Sequence, residues 1–418
     1  MLKILLVVQN YTPSVGGTQT FFQHFAENCV ANHGDEVTVI TTNSYFGPDK
    51  KQFKLIKEVY AFIKGVHVKR FPFYRWHQPV CRLLAKIAYR ILGQVPEWIN
   101  NYLSGPWSPQ MINAITRSDA DVILAGTSNY LYMQYPLYRQ KLQQPKPFVF
   151  QGAIHFKEDK TIQVISRQAL AAIAASEYYL ANTHYEKNRL AEMGIAPENI
   201  AVSGCGVHLA DFVEDEGHAF RQQFGIGEDE ILIAYIGRIE ATKNIELLLT
   251  AFTQAAQIQP NTKLIIAGYP NPDYYQRLQG IIQGYEAHVQ QKIHILTAMP
   301  HQQKNALLHA ADIVMQPSFN ESFGIIFLEA WACKKPVIGA QIGAIVSVVD
   351  NGTNGLLFHP NNAANAAEML LQLITNGPLR LQMGHNGYQK LIANYTWDIV
   401  AATCRQTLIQ AKEKFYVS

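Results

Sequence analysis

Short apolar runs alternate along the chain with longer stretches of helical period. In the first half the runs Ile4–Val8, Val37–Thr41, Val122–Ala125, Phe148–Phe150, Tyr179–Ala181 and Ile200–Ser203 read as strands. In the second half Ile231–Ile236, Lys263–Ala267, Ile293–Leu296, Ile313–Gln316, Pro336–Gly339 and Gly355–Phe358 do the same. Segments such as Thr18–Asn32 and Asn244–Gln257 lie between them with the spacing of helices. Strands alternating with helices predict parallel α/β units. A chain of 418 residues exceeds one ordinary core, so two doubly wound Rossmann-like domains in tandem are expected. The charged, Gly-containing stretch 206–229 is poor in strand signal and reads as the join. Ligands of such sheets bind at the carboxyl ends of the strands, so two facing domains predict a main site in the cleft between them.

Composition narrows the class. The chain is 48% hydrophobic and 16% charged, which is globular rather than disordered. A net charge of +3 gives no bulk attraction to nucleic acid. Cys29, Cys81, Cys205, Cys333 and Cys404 are scattered with no C-x-x-C pair, which argues against zinc and disulfides and suits a cytoplasmic setting. The N-terminal apolar run is too short for a signal peptide or a membrane span.

Three places could hold an anion. Gly16-Gly17 follows the first strand and opens a helix, so the backbone and the helix N-terminus can approach a phosphate. A bland strand-to-helix turn reads the same way. Strand Ile231–Ile236 ends in Gly237-Arg238, and Lys243 follows five residues later, before a helix. Both cations can neutralise a diphosphate; as surface charges they would need no function. The loop Pro317-Ser318-Phe319-Asn320-Glu321-Ser322-Phe323-Gly324 then runs into an apolar helix carrying Glu329, eight residues after Glu321. A carboxylate within such a helix is costly without partners, and sugar or ribose hydroxyls are good donors to it. A core cation is the competing partner.

With these residues in view, the segment from Ile231 to Asn362 resembles the retaining GT-B glycosyltransferases of family 4, the group 1 glycosyl transferases. Glu321 and Glu329 match the two ends of that family's E-x7-E motif. Gly237-Arg238 with Lys243 matches its phosphate site, and Gly16-Gly17 its N-terminal glycine loop. Val202 to Phe212 and Tyr395-Thr396-Trp397 resemble its domain junction and the crossover returning the C-terminus to the first domain. Asn244, Lys334 and Ser347 depart from the usual pattern.

The resemblance implies a GT-B fold: an N-terminal acceptor domain, 1–206 with 396–418 packing back on it, and a C-terminal donor domain, 207–395. It implies retaining, metal-independent transfer of a hexose from a nucleotide-diphosphate sugar to a sugar or lipid-linked acceptor, in cell-envelope or exopolysaccharide synthesis. No cofactor is expected beyond the donor itself. Glu329 would bind the ribose, and Glu321 the transferred sugar. Arg238 and Lys243 would stabilise the leaving diphosphate, assisted by Ser318 and by backbone near Phe323, Gly324 and Gly343. His155, at the end of strand Phe148–Phe150 after Gly152, resembles the histidine beside the reacting carbon. Other GT-B enzymes (a phosphorylase or an epimerase) and a silent binding protein on the same scaffold are the alternatives. Intact Glu321, Glu329, Arg238, Lys243 and His155 argue against the silent one.

One further stretch is basic and aromatic. Lys50 to Arg90 holds eleven Lys and Arg against the single acid Glu58. Within it Val80–Leu92 has helical spacing, with Arg82, Lys86 and Arg90 on one side and large apolar residues over the other. That is the pattern of an interfacial helix on an anionic membrane surface. It is equally the pattern of an ordinary helix with its apolar face on the core.

Overall fold

The computed structural model describes residues 1–14, 16–45, 54–104, 107–126, 131–154, 156, 165–297 and 299–417. The chain forms two compact units, residues 1–203 with 400–418, and residues 204–399.

The first unit is built on an eight-stranded sheet. Its strands are β1 (Lys3–Val7), β2 (Glu36–Thr42), β5 (Tyr60–Ile63), β6 (Val66–Phe71), β7 (Val122–Gly126), β8 (Phe148–Gln151), β9 (Tyr178–Ala181) and β10 (Ile200–Val202). A two-stranded ribbon, β3 (Ser44–Tyr45) with β4 (Lys54–Leu55), stands apart. The order is β10-β9-β8-β7-β1-β2-β6-β5, with only the edge strand β5 antiparallel. Ile4, Leu5, Leu6 and Val7 of the central strand are all buried, so both faces of the sheet are covered. A strand buried on both faces reads as a continuous apolar run.

The six expected strands of this half are present within a residue or two. β5 and β6 were not expected. His67, Lys69 and Arg70 break the apolar run of β6, yet Val66, Val68 and Phe71 are buried. Arg70 is buried as well, donating to the Thr12 carbonyl at 2.9 Å and pairing with Glu58 at 3.7 Å. A cation counted with the basic surface stretch is therefore an internal strut of the loop after β1.

The second unit carries β11 (Ile231–Ile236), β12 (Thr262–Gly268), β13 (Ile293–Thr297), β14 (Ile313–Gln316), β15 (Val337–Ala340) and β16 (Gly355–Phe358). The order is β13-β12-β11-β14-β15-β16, parallel throughout. All six strands expected here are present. The stretch 206–229, read as a join, belongs to this unit and forms short helices at Leu209–Phe212 and Gly217–Gln223.

Residues 400–418 complete the first unit. Cys404, Leu408 and Ala411 of the terminal Trp397–Val417 helix are fully buried. Arg405 clamps the buried Asp35 carboxylate with Nε at 2.6 Å and Nη2 at 3.0 Å. Asp35 also accepts the backbone N–H of Leu2.

Candidate active site

In the second sheet β11 lies between β12 and β14. The chain order switches direction between β11 and β14, the kind of point at whose strand carboxyl ends open parallel sheets bind ligands. The loops leaving the carboxyl ends of β11 and β14 carry Gly237-Arg238 to Lys243 and Ser318 to Gly324. They are tied together: the N–H of Phe319 donates to the Thr242 carbonyl at 3.1 Å.

The first loop is set by close backbone approach. Gly268 ends β12 at φ 154, and a Cβ there would sit 1.7 Å from the Gly237 carbonyl oxygen. The Tyr235 hydroxyl, buried at the strand end, donates to the Arg238 carbonyl at 2.7 Å. A single 3-10 turn, Ala241–Lys243, then leads through left-handed Asn244 into the Ile245–Ile258 helix. Where Gly is usual, Asn244 takes the positive φ, which Asn tolerates better than most residues.

The second loop ends in Gly324 at φ 91, the N-cap of the Ile325–Ala332 helix. With no side chain there, the helix start has no side-chain cap; the Phe327 N–H donates to the Gly324 carbonyl at 3.0 Å, and the N–H groups of Ile325 and Ile326 precede it in the first turn. Phe323 is buried and meets Tyr395 edge-on at 5.6 Å.

The side chains form two acid–lysine pairs. Lys243 Nζ lies 2.6 Å from Glu321 Oε1, and the Ser318 hydroxyl donates to the same oxygen at 2.8 Å. Lys304 Nζ lies 2.6 Å from Glu329 Oε1. All four charged side chains keep between 14 and 19% of their surface, enough for a ligand to reach them. Arg238 is more open and pairs with Glu240 at 2.6 Å; Thr242 donates to the other oxygen of Glu240.

Sequence reasoning missed two of these groups. Lys304 stands in the first turn of the His301–Ala310 helix and is the cation that Glu329 holds. Glu329 thus has a protein partner, and the helix carries its carboxylate without a buried unpaired charge. Glu240 was visible as a charge beside the Arg238 loop, but nothing in its spacing marked it as that arginine's partner.

In the first unit Gly16 is the N-cap of the Gly17–His33 helix, with no side-chain cap bond. Gly17 has open space around its α-carbon. A Cβ at Gly16 would meet the end of the Gln19 side chain at 2.4 Å. His155 and Val15 lie outside the described residues. The turn leading toward residue 155 is held by Glu186, fully buried after β9. Its carboxyl accepts from Tyr179 Oη at 2.7 Å and from the N–H groups of Asn182 and Ile154 at 2.7 and 3.1 Å. Burial pushes this carboxyl above the ordinary range, and those donors pull it partly back.

The profile described as Glycosyl transferases group 1 matches residues 218–390, and that described as Glycosyltransferase Family 4 matches residues 15–211. The D-inositol 3-phosphate glycosyltransferase of Kribbella flavida is 29% identical over 242 residues, 55% of this chain and 56% of that one. Its counterpart from Nocardia farcinica is 25% identical over 389 residues, 90% of this chain and 81% of that one. The chain thus spans about half the length of the first of these curated relatives. Among solved structures, Anabaena HepE in complex with UDP superimposes with a TM-score of 0.73 at 17% identity, covering 98% of this chain and all of that one. WaaG, a glycosyltransferase involved in lipopolysaccharide biosynthesis, gives 0.66 at 17% identity, covering 97% and 99%. With the E-x7-E acids, the Gly237-Arg238 loop and Lys243 brought to one switch point, and with both halves matched by their profiles, the chain belongs to the family 4 glycosyltransferases of GT-B fold.

Proposed function

We propose that the chain transfers a hexose from a nucleotide-diphosphate sugar to a sugar or lipid-linked sugar acceptor, with retention at the anomeric carbon and without a metal ion. The observation that carries the donor half is the pair of acid–lysine couples at the β11/β14 switch point, beside an uncapped helix N-terminus. Ribose hydroxyls donate to Glu329 and hydroxyls of the transferred sugar to Glu321. Arg238, Lys243 and the N–H groups that open the Ile325–Ala332 helix, at Ile325 and Ile326, face the diphosphate. Their charge offsets what develops on the leaving group, the main electrostatic burden of the reaction. The bond from the anomeric carbon to the diphosphate breaks as the acceptor oxygen bonds on the same face. The acceptor proton passes to the departing phosphate oxygen. His155 orients the sugar beside that carbon.

The first unit is proposed to receive the acceptor, and Gly16 and Gly17 are proposed as donor-binding residues. The UDP and UDP-glucose complexes of HepE support a nucleotide-sugar donor. The D-inositol 3-phosphate glycosyltransferases and WaaG support a hydroxylated or lipid-linked acceptor, and with it a role in cell-envelope or exopolysaccharide synthesis. The basic Lys50–Arg90 stretch supports peripheral attachment at the inner face of the cytoplasmic membrane. No helix among the described residues is long and apolar enough to cross a membrane.

A thermal-shift panel of UDP-, GDP- and ADP-sugars, without and with Mg²⁺, tests the donor assignment. A ligand at about 100 times its dissociation constant stabilises by roughly 2.7 kcal/mol, a rise of several degrees at about 2–4 °C per kcal/mol. The expected result is a shift with one base, indifferent to Mg²⁺ and absent in Glu329→Ala. No shift with any nucleotide sugar overturns the assignment.

A further inference from the structure

The Gln78–Leu92 helix packs the opposite way from an ordinary surface helix. Positions i, i+4 and i+7 form one stripe, and here the stripe turned inward is Cys81, Ala85 and Ala88. Val80, Leu83, Leu84, Ile87 and Ile91 form the next stripe, and all five are exposed, Leu83 at 58% and Ile91 at 74%. Arg82, Lys86 and Arg90 run along the outer side beside them, exposed and with no carboxylate partner among the described residues. The small residues face the protein and the large apolar ones face outward. The adjoining Glu97–Ser104 helix exposes Trp98 and Tyr102, and Trp76 is exposed just before the first helix. A contiguous apolar patch with a cationic border needs an occupant.

We propose that the occupant is an anionic lipid bilayer. The apolar stripe enters the headgroup boundary, and Arg82, Lys86 and Arg90 meet lipid phosphates. Trp and Tyr favour that boundary, where one end of the ring is apolar and the other wet. The inference refines the attachment reading above and is independent of the donor assignment. It also relocates the contact, because other cations of the Lys50–Arg90 stretch are already engaged. Lys64 pairs with Glu27 at 2.9 Å, Lys69 lies over the Tyr60 and Phe71 rings, and Arg70 is buried. A second copy fits the face less well. Two-fold pairing sets the same patch against itself, and no acidic residue occurs from Val59 to Pro96 to match the cations.

The test is co-sedimentation of the full chain with vesicles of phosphatidylcholine alone and of equal parts phosphatidylcholine and phosphatidylglycerol. Binding to the mixed vesicles only is expected. Arg82→Gln, Lys86→Gln and Arg90→Gln together should weaken it by about a hundredfold. Leu83→Ser, Ile87→Ser and Ile91→Ser together should weaken it at least about tenfold with an unchanged melting temperature, since these side chains are exposed. Lys54→Gln with Lys57→Gln should bind as the unaltered chain does. Undiminished binding by the serine variant, lost binding in the Lys54/Lys57 control, or no binding by the unaltered chain each overturns the proposal. A dimer that the serine substitutions dissociate, without vesicle binding, assigns the face to a second copy. The nucleotide-induced thermal shift should be the same in every variant, so the docking and donor readings fail separately.

Discussion

At the level of single residues, the candidate site is a problem of charge kept near water. Glu321 and Glu329 each have a lysine at 2.6 Å, and each pair is mostly but not wholly buried. Removing one partner leaves an undercompensated carboxylate, while removing both leaves none. Lys304→Met is therefore expected to lower stability by about 1–2 kcal/mol, discounted from a fully buried pair for its exposure. Glu329→Gln should do likewise, and the double variant should lose less than the sum, with a coupling on the order of 1 kcal/mol in urea unfolding. Additivity would show that the pair does not couple. In nucleotide binding, Glu329→Gln should cost roughly tenfold or more, because hydrogen bonds to a charged acceptor contribute about 1.5–3 kcal/mol. Glu186 supplies a pH test. Its folded carboxyl holds its proton to higher pH than in the unfolded chain. Unfolding then releases a proton between the two values, so stability falls as pH rises from about 4.3 upward through the folded value. Glu186→Gln lacks that slope. The melting-temperature difference between the two proteins should narrow as pH rises from acid toward neutral; a constant difference refutes it.

At the level of elements, what could be read in advance followed burial. Ile231–Ile236 and Ile313–Gln316 are apolar runs buried on both faces, so their positions and the loops after them were legible. β6 was not, because Lys69 and Arg70 interrupt it and the reason for Arg70 lies in the Thr12 carbonyl, 58 residues away. The pairing of Glu329 with Lys304 was hidden for the same reason: it joins two helices separated by an intervening strand, and no local spacing encodes it. The packing of the Gln78–Leu92 helix was ambiguous from periodicity alone, since an apolar stripe looks the same facing a core or facing out. The small stripe Cys81, Ala85 and Ala88 is what decides it. Glycines at close approaches make this level testable. Gly268→Ala drives a Cβ into the Gly237 carbonyl and should cost about 3 kcal/mol or more. It should also abolish the nucleotide-induced shift, because the Gly237-Arg238 backbone must move. Gly280→Ala, in the Pro272–Gln283 helix with nothing near its added carbon, should instead stabilise by about 0.5–1 kcal/mol. Thermal melts of both variants check the contrast.

At the level of the whole molecule, the chain leaves its first unit at residue 203 and returns to it at residue 400. The last helix is thus a late-synthesised part of the first core, and Asp35 depends on it. The carboxylate is fully buried and its guanidinium partner, Arg405, lies 370 residues away in sequence. Arg405→Ala leaves that charge buried with, among the described residues, only the Leu2 N–H, a loss of about 3–5 kcal/mol for a broken buried pair. The two units have separate hydrophobic cores, so the loss should fall on one of them. Differential scanning calorimetry of the unaltered chain and of Arg405→Ala separates the cases. The expected outcome is a first-unit transition lowered by on the order of 10 °C, and a second-unit transition that still rises with the nucleotide sugar. Asp35→Asn with Arg405→Met should recover part of the loss, since a neutral amide no longer needs the guanidinium. A single transition that moves as one in Arg405→Ala would instead mean that the units unfold together, and the dependence of Asp35 on the returning helix would then stabilise the donor site as well.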